Sequence, residues 1–112
     1  MLLLHRPAGG LPDRRSPEFA AQMREYLAWM ERIRADGRFR AGHKLTDDAG
    51  RIVRAAAGGL ATTDGPFAES KEIVGGFYLI SARDYPDACR VASDSPHLKY
   101  GYRIEVRRVE EL

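Results

Sequence analysis

Cysteine is almost missing from this chain, which has a single one, Cys89, in 112 residues. One thiol excludes an internal disulfide framework and favours a reducing compartment. An excess of one charge is missing too, because 18 Lys and Arg residues are balanced by 16 Asp and Glu residues, for a formal net charge of +2. Nucleic-acid-binding proteins usually carry a basic stripe, so we expect no nucleic-acid partner.

Long apolar runs and cofactor motifs are also missing. The first apolar run, Leu2 to Leu4, is far shorter than a signal-peptide core or the roughly 20 residues of a membrane span, so we expect a buried strand and no membrane partner. The three histidines have no metal-binding spacing, and the glycines form no phosphate or dinucleotide loop. We therefore predict no metal and no cofactor. The length and the apolar fraction of 44% predict a single globular domain, residues 1–112.

The first predicted helix has clear signals at both ends. Ser16 is a typical N-cap, Pro17 suits the first helical position, and Gly37 suits a left-handed C-terminal cap. Three- and four-residue spacings predict one apolar stripe, formed by Phe19, Met23, Tyr26, Leu27, Met30 and Ile33.

A second, shorter helix is predicted from a cap at Asp84 to about Asp94. Its small apolar stripe is predicted to contain Tyr85, Ala88, Cys89 and Ala92. Cys89 is accordingly interpreted as an inert thiol in the core.

Strands are predicted between and around these helices. The first is expected to stop at the loop that begins at Arg6, and Gly75 and Gly76 indicate a bulge or a close backbone approach within the longest one. The predicted strands are 2–4, 39–45, a hairpin of 52–55 and 60–63 joined through 57–59, 73–81, and 102–106.

This order predicts an α+β fold of the ferredoxin-like split βαβ type with an inserted β-hairpin. Both helices should then cover one face of an antiparallel sheet. Because nothing else in the chain can cover the other face, we predict a homodimer.

The segment from Thr63 to Phe77 combines Gly-Pro and Gly-Gly pairs with a charged group of residues, which is typical of the rim of a pocket. Its sequence DGPFAESKE (64–72), followed by GGFYLI (75–80), resembles the signature of the DGPF branch of the YCII-related proteins. The segments SPHLKYG (95–101) and IEVR (104–107) resemble the same branch.

The resemblance implies a dimeric α/β barrel in the bacterial cytoplasm, often encoded beside alternative sigma factors, with no settled biochemical activity. Better-known YCII proteins carry a His–Asp pair suspected of acid–base catalysis, with the histidine early in the first helix. Residues 16–35 contain no histidine, so that pair is not carried over to this chain.

Asp64 allows two interpretations. Its carboxylate could accept backbone N–H groups in a tight corner fixed by Pro66. It could instead serve as a general base, or its turn could hold an anionic group of a ligand.

The charged residues Glu69, Lys71 and Glu72 also have an ordinary reading, as a solvated surface run. With apolar walls from Phe67 and Phe77, they could instead orient a small polar ligand, Lys71 binding an anion and Glu69 or Glu72 moving a proton.

The histidines at strand ends, His5 and His97, are better acid–base candidates than His43, although each could be an ordinary hydrogen-bonded surface residue. The catalytic candidates are thus Asp64, Glu69 and His97, and the ligand-binding candidates are His5, Phe67, Lys71, Glu72 and Phe77.

Two functional hypotheses remain open. The first is a pocket for a small anionic or carbonyl-containing molecule, with cofactor-free acid–base chemistry of the isomerase or lyase type. The second is a non-enzymatic accessory module, linked to sigma-factor-dependent transcription, whose rim contacts a protein partner. A concave pocket with converging polar groups favours the first, and an exposed apolar patch favours the second.

Overall fold

The computed structural model describes residues 1–9, 11–64 and 72–111. Strands and helices follow one another in the predicted order. They are β1 (Leu2–Pro7), α1 (Pro17–Ala35), β2 (Phe39–Lys44), β3 (Arg51–Ala56), β4 (Gly59–Asp64), β5 (Glu72–Ile80), α2 (Tyr85–Ser93), a 3₁₀ helix (Pro96–Tyr100) and β6 (Arg103–Val106).

Four strands form one antiparallel sheet in the order β2-β5-β1-β6. The strands β3 and β4 form a separate two-stranded sheet, which confirms the predicted hairpin. The architecture is therefore mixed α+β, with two helices and an antiparallel sheet, and is compatible with a ferredoxin-like fold. No helix in the described part of the chain is long and apolar enough to cross a membrane.

Both ends of α1 follow the local signals in the sequence. The Ser16 hydroxyl accepts a hydrogen bond from the Phe19 backbone N–H at 3.1 Å, and Pro17 opens the helix. Gly37 has a φ of 73°, the left-handed conformation predicted for it. The structure thus confirms both predicted ends of α1. They could be predicted because each cap depends on only a few neighbouring residues.

The buried face of α1 differs from the predicted stripe. Tyr26, Trp29 and Ile33 are buried, whereas Leu27 is 60% exposed. The expected burial of Leu27 was therefore wrong, although Leu27 lies on the same side of α1 as the rest of the stripe, and Trp29 was missed. The core joins both helices to one face of the sheet, and its buried members are Leu2, Leu4, Trp29, Ile33, Tyr78, Val91 and Ala92.

The second helix begins at its predicted cap, because the Asp84 carboxylate accepts the Asp87 backbone N–H at 2.9 Å. The expected core position of Cys89 is wrong, since that residue is exposed. Asp87 turns inward instead, and its carboxylate accepts two hydrogen bonds from Arg38 at 3.0 Å and one from Arg90 at 2.9 Å. The side-chain hydrogen bonds from Arg38, together with the backbone N–H of Arg83, hold the pKa of Asp87 well below its usual value. The buried residues of α2 are Asp87, Ala88, Val91 and Ala92, and Cys89 is not among them.

Strand β1 is longer than predicted and includes Arg6 and Pro7. Arg6 is only 2% exposed, and its guanidinium donates to the carbonyls of Pro7 at 3.2 Å and Asp47 at 3.3 Å. The expected loop at Arg6 was wrong because these carbonyls and the pairing of Arg6 with Ile73 hold it in the sheet.

Candidate functional site

A cavity of about 390 Å³ lies between α1 and the face of the sheet that the helices cover. Met23 and Met30 of α1 line one side, and Leu4 of β1 lines the other. Its volume falls within the range of small-molecule pockets, and most of its walls are apolar.

Glycines on two neighbouring strands line this cavity at points where a side chain would clash. A Cβ atom on Gly42 would lie 2.6 Å from Cδ1 of Tyr78, and one on Gly76 would lie 2.8 Å from the His43 carbonyl oxygen. The pairing of β1 with β5 shifts register between Leu4 and His5, opposite the Gly75-Gly76 pair. The predicted bulge and the predicted close backbone approach are thus both confirmed, and they form part of the cavity wall.

His97 is the most buried titratable residue of the cavity wall, with 4% of its surface exposed. Its ring stacks on Tyr26, with centroids 4.2 Å apart. Trp29, Tyr78 and Tyr102 surround it edge-on, with ring centroids between 5.2 and 5.9 Å from its own. The imidazole therefore lies in an aromatic enclosure.

This enclosure keeps the imidazole uncharged. Burial lowers the pKa of His97 from 6.5 to about 4, because the charged form would lose its hydration. The Nδ1 atom lies 2.5 Å from the Ser95 hydroxyl, while Nε2 has no hydrogen-bond partner among the described residues. At neutral pH His97 is thus a neutral group with one ring nitrogen available to a ligand.

Tyrosine hydroxyls are the other polar groups deep in the cavity. Tyr78 and Tyr102 line it, and neither hydroxyl has a hydrogen-bond partner in the described part of the chain. Burial raises the pKa of both groups, so both stay protonated at neutral pH. The residues that line the cavity therefore include two uncharged hydroxyl groups without a partner in the described part of the chain.

The 3₁₀ helix that carries His97 is fixed at both ends. Its N-cap is Ser95, and Gly101 ends it with a φ of 86°, a conformation that suits glycine. Glu25 of α1 accepts hydrogen bonds from Lys99 at 2.6 Å and from the Tyr100 hydroxyl at 2.7 Å. These contacts hold the His97 segment against α1.

Positive charge predominates at the outer end of the cavity. Lys44 and Arg14 line it, and both contact the Asp47 carboxylate, at 2.7 and 3.9 Å. Arg6 lies 3.7 Å from the same carboxylate. The hydrogen bond from Lys44 is the main cause that lowers the pKa of Asp47. Three cations thus share one carboxylate in this region.

Other predicted site residues lie on the opposite face of the sheet. Because Leu4 and Arg6 point toward the helices, His5 between them points away. Its Nε2 lies 3.0 Å from a Glu105 carboxylate oxygen. Glu72 belongs to the same face, where Arg103 donates to it at 2.9 Å and lowers its pKa.

Phe77 also points to this second face, since the next residue, Tyr78, is in the core. Its ring contacts that of His43 at 5.8 Å between centroids. The structure therefore separates His97 from His5, Glu72 and Phe77 by the thickness of the sheet.

Four of the predicted residues have no described side chain. Asp64 is the last residue of β4, and the structure describes its backbone but not its side chain. Phe67, Glu69 and Lys71 lie outside the described residues altogether. Their assigned roles stay predictions.

A larger hollow of about 520 Å³ lies against α2 and the end of β6. Charged side chains such as Arg40, Asp84 and Arg107 line it, and all three are exposed. No buried titratable group points into it from the described residues, so we assign the candidate site to the smaller cavity around His97.

His97, a candidate from the sequence, lies in the cavity wall, but most of its neighbours there were not among the candidates. Ser95, Tyr78 and Tyr102 were not assigned to the site, and Trp29 was not placed in the core. The signal was present for Trp29, which is three residues from Tyr26 and four from Ile33 on the same helix.

Comparison with known proteins gives one family. The family model described as the YCII-related domain matches residues 5–112. No match was found among curated proteins.

Proposed function

We propose that this chain, which belongs to the YCII-related domain family, binds a small and largely apolar molecule with a carbonyl group in the cavity between α1 and the sheet. The observation that carries the proposal is the buried, neutral His97, whose Nε2 has no described partner and whose ring lines an apolar cavity. Convergence of a few polar groups on an apolar cavity is typical of ligand sites.

The chemistry we propose is cofactor-free acid–base chemistry of the isomerase or lyase type. His97 contacts the ligand as a neutral group, and a carboxylate removes a proton. The described lining of the cavity contains no carboxylate. We therefore assign the base to Asp64 or Glu69, as the sequence predicts, with Phe67 and Lys71 as further ligand contacts.

Binding of acetophenone tests this proposal, because the probe joins an apolar ring to a carbonyl group. NMR titration measures the Kd, which we expect to be on the order of 1 mM for a ligand of this size. Met23→Trp, which fills the cavity, should weaken binding at least about tenfold through steric exclusion.

Ala28→Trp is the matched control, since Ala28 is on the exposed side of the same helix. It should leave the acetophenone affinity unchanged. Equal affinities of the Met23→Trp variant and the original protein would contradict the proposed site.

We further propose that residues 1–112 form one domain of the DGPF branch and act in the bacterial cytoplasm. Support comes from the segment DGPFAESKE (64–72) and from the lone cysteine. We also assign ligand contacts to His5, Glu72 and Phe77. These residues would line a second pocket on the outer face of the sheet, which is the face away from the helices, and two copies of the chain would share it.

That shared pocket requires a homodimer of the dimeric α/β-barrel type, which we also propose. Two features support it. Val53 and Leu60 of the hairpin are 61% and 79% exposed, and Val74 on the outer sheet face is 39% exposed. The radius of gyration, 16.1 Å, exceeds the value of about 13 Å that is usual for this length, and one dimension is only 18 Å. A second copy would cover these surfaces.

Sedimentation tests the dimer. The protein should sediment as a dimer at micromolar concentration, and Leu60→Asp should raise the dimer Kd roughly tenfold or more by burying a charge. Ala28→Asp on the exposed side of α1 should have no effect. A monomer at micromolar concentration would contradict the dimer.

A second candidate function is a non-enzymatic accessory module linked to sigma-factor-dependent transcription. The exposed apolar residues of the hairpin favour it, because such patches mark protein contacts. It predicts that Leu60→Asp removes a different protein partner while the cavity binds no small molecule.

A further inference from the structure

The two ring nitrogens of His97 have different surroundings. The Nδ1 atom lies 2.5 Å from the Ser95 hydroxyl oxygen. Among the described residues, Trp29 Nε1 is the one buried side-chain nitrogen or oxygen that is both fully enclosed and without a hydrogen-bond partner. The unpartnered Nε2 of His97 is therefore not enclosed, and the space it reaches is the cavity that His97 lines.

The Ser95 hydroxyl determines which nitrogen carries the proton. Its oxygen already accepts the backbone N–H of His97, at 3.3 Å, and Ser95 is 4% exposed. A hydroxyl has one proton to donate. No acceptor other than Nδ1 contacts it in the described part of the chain.

The opposite arrangement would leave a buried proton unpaired. If Nδ1 carried the proton and donated to Ser95, the hydroxyl would have no acceptor for its own proton. Buried polar hydrogens without a partner are costly, so this arrangement is disfavoured.

We propose that Ser95 donates to Nδ1 and fixes His97 as the tautomer with its proton on Nε2, which donates to a carbonyl oxygen of the ligand. This inference rests on the proposed function and defines its ligand as a ketone or aldehyde. Ser95 is then a positioning residue, because it acts through the imidazole.

The surroundings of the ring agree with an uncharged donor. Tyr26 stacks on one side, and Trp29, Tyr78 and Tyr102 approach edge-on. No carboxylate lines the described part of the cavity to stabilise an imidazolium. A neutral Nε2–H group can donate to a carbonyl oxygen and polarise it.

The first test is the tautomer itself, read from the ring-nitrogen NMR shifts of His97 at neutral pH. We expect a protonated Nε2 and an unprotonated Nδ1 in the original protein. Ser95→Thr keeps the hydroxyl and should give the same pattern, whereas Ser95→Ala should give averaged shifts from both tautomers. A protonated Nδ1 in the original protein overturns the proposal.

The second test compares acetophenone with α-methylstyrene, which has a methylene group in place of the carbonyl oxygen. The preference for the ketone should fall about fivefold in Ser95→Ala, since one net hydrogen bond is weakened, and should persist in Ser95→Thr.

The outcomes separate the two proposals. An unchanged preference in Ser95→Ala overturns the tautomer role and leaves the proposed function in place. Failure of both probes to bind the original protein overturns the proposed function and this inference with it.

Discussion

Replacing Trp29 by alanine is expected to lower the free energy of unfolding by about 3–5 kcal/mol. The side chain is 1% exposed, and its ring contacts that of Tyr78 at a centroid distance of 5.1 Å and that of His97 at 5.9 Å. Its removal would leave a void where α1, the sheet and the 3₁₀ helix meet. Urea denaturation followed by circular dichroism measures the change.

Leu27→Ala is the matched control on the same helix. Because Leu27 is 60% exposed, its replacement should change the free energy of unfolding by less than about 0.5 kcal/mol. The pair also tests which face of α1 is buried. A larger loss for Leu27→Ala than for Trp29→Ala would contradict the burial of Trp29 and the exposure of Leu27 in the structure.

Acidification from neutral pH to about pH 4 is expected to remove about 3 kcal/mol of stability through His97 alone. Its folded pKa of about 4 lies below the unfolded value of 6.5. The unfolded chain therefore takes up the proton first as the pH falls. The contribution is complete above pH 6.5 and is lost as the pH falls toward the folded pKa.

His97→Leu removes this titration and supplies the control. The difference in unfolding free energy between the two proteins should change with pH between 6.5 and about 4, because the ionisable side chains that surround the ring, Tyr26, Tyr78 and Tyr102, keep their protons there. Glu25 does not contact the ring itself but accepts a hydrogen bond from Tyr100. The hydrogen bond from Lys99 lowers the pKa of Glu25, so it titrates below its usual value. A pH-independent difference would show that His97 is solvated.

The sequence predicted the features that depend on a few neighbouring residues. Ser16 and Asp84 begin the helices as expected, and Gly37 ends α1, because each cap satisfies backbone groups within one turn. The bulge at Gly75 was also predictable, since glycine inside a strand often marks a bulge or a close backbone approach.

Contacts between distant segments were not predictable in the same way. On the buried face of α2, Asp87 pairs with Arg38, which is 49 residues earlier in the chain. His5 and His97 both lie near strand ends, yet strand register and the 3₁₀ helix place them on opposite faces of the sheet. One sequence contains no direct signal for either arrangement.

The central claim is that the cavity around His97 is a ligand site, and intermolecular nuclear Overhauser effects from bound acetophenone test it most directly. The account predicts contacts from the probe to the methyl groups of Met23 and Met30 and to the ring of His97. Contacts confined to the hollow beside α2 or to the hairpin, with none to these three side chains, would contradict it.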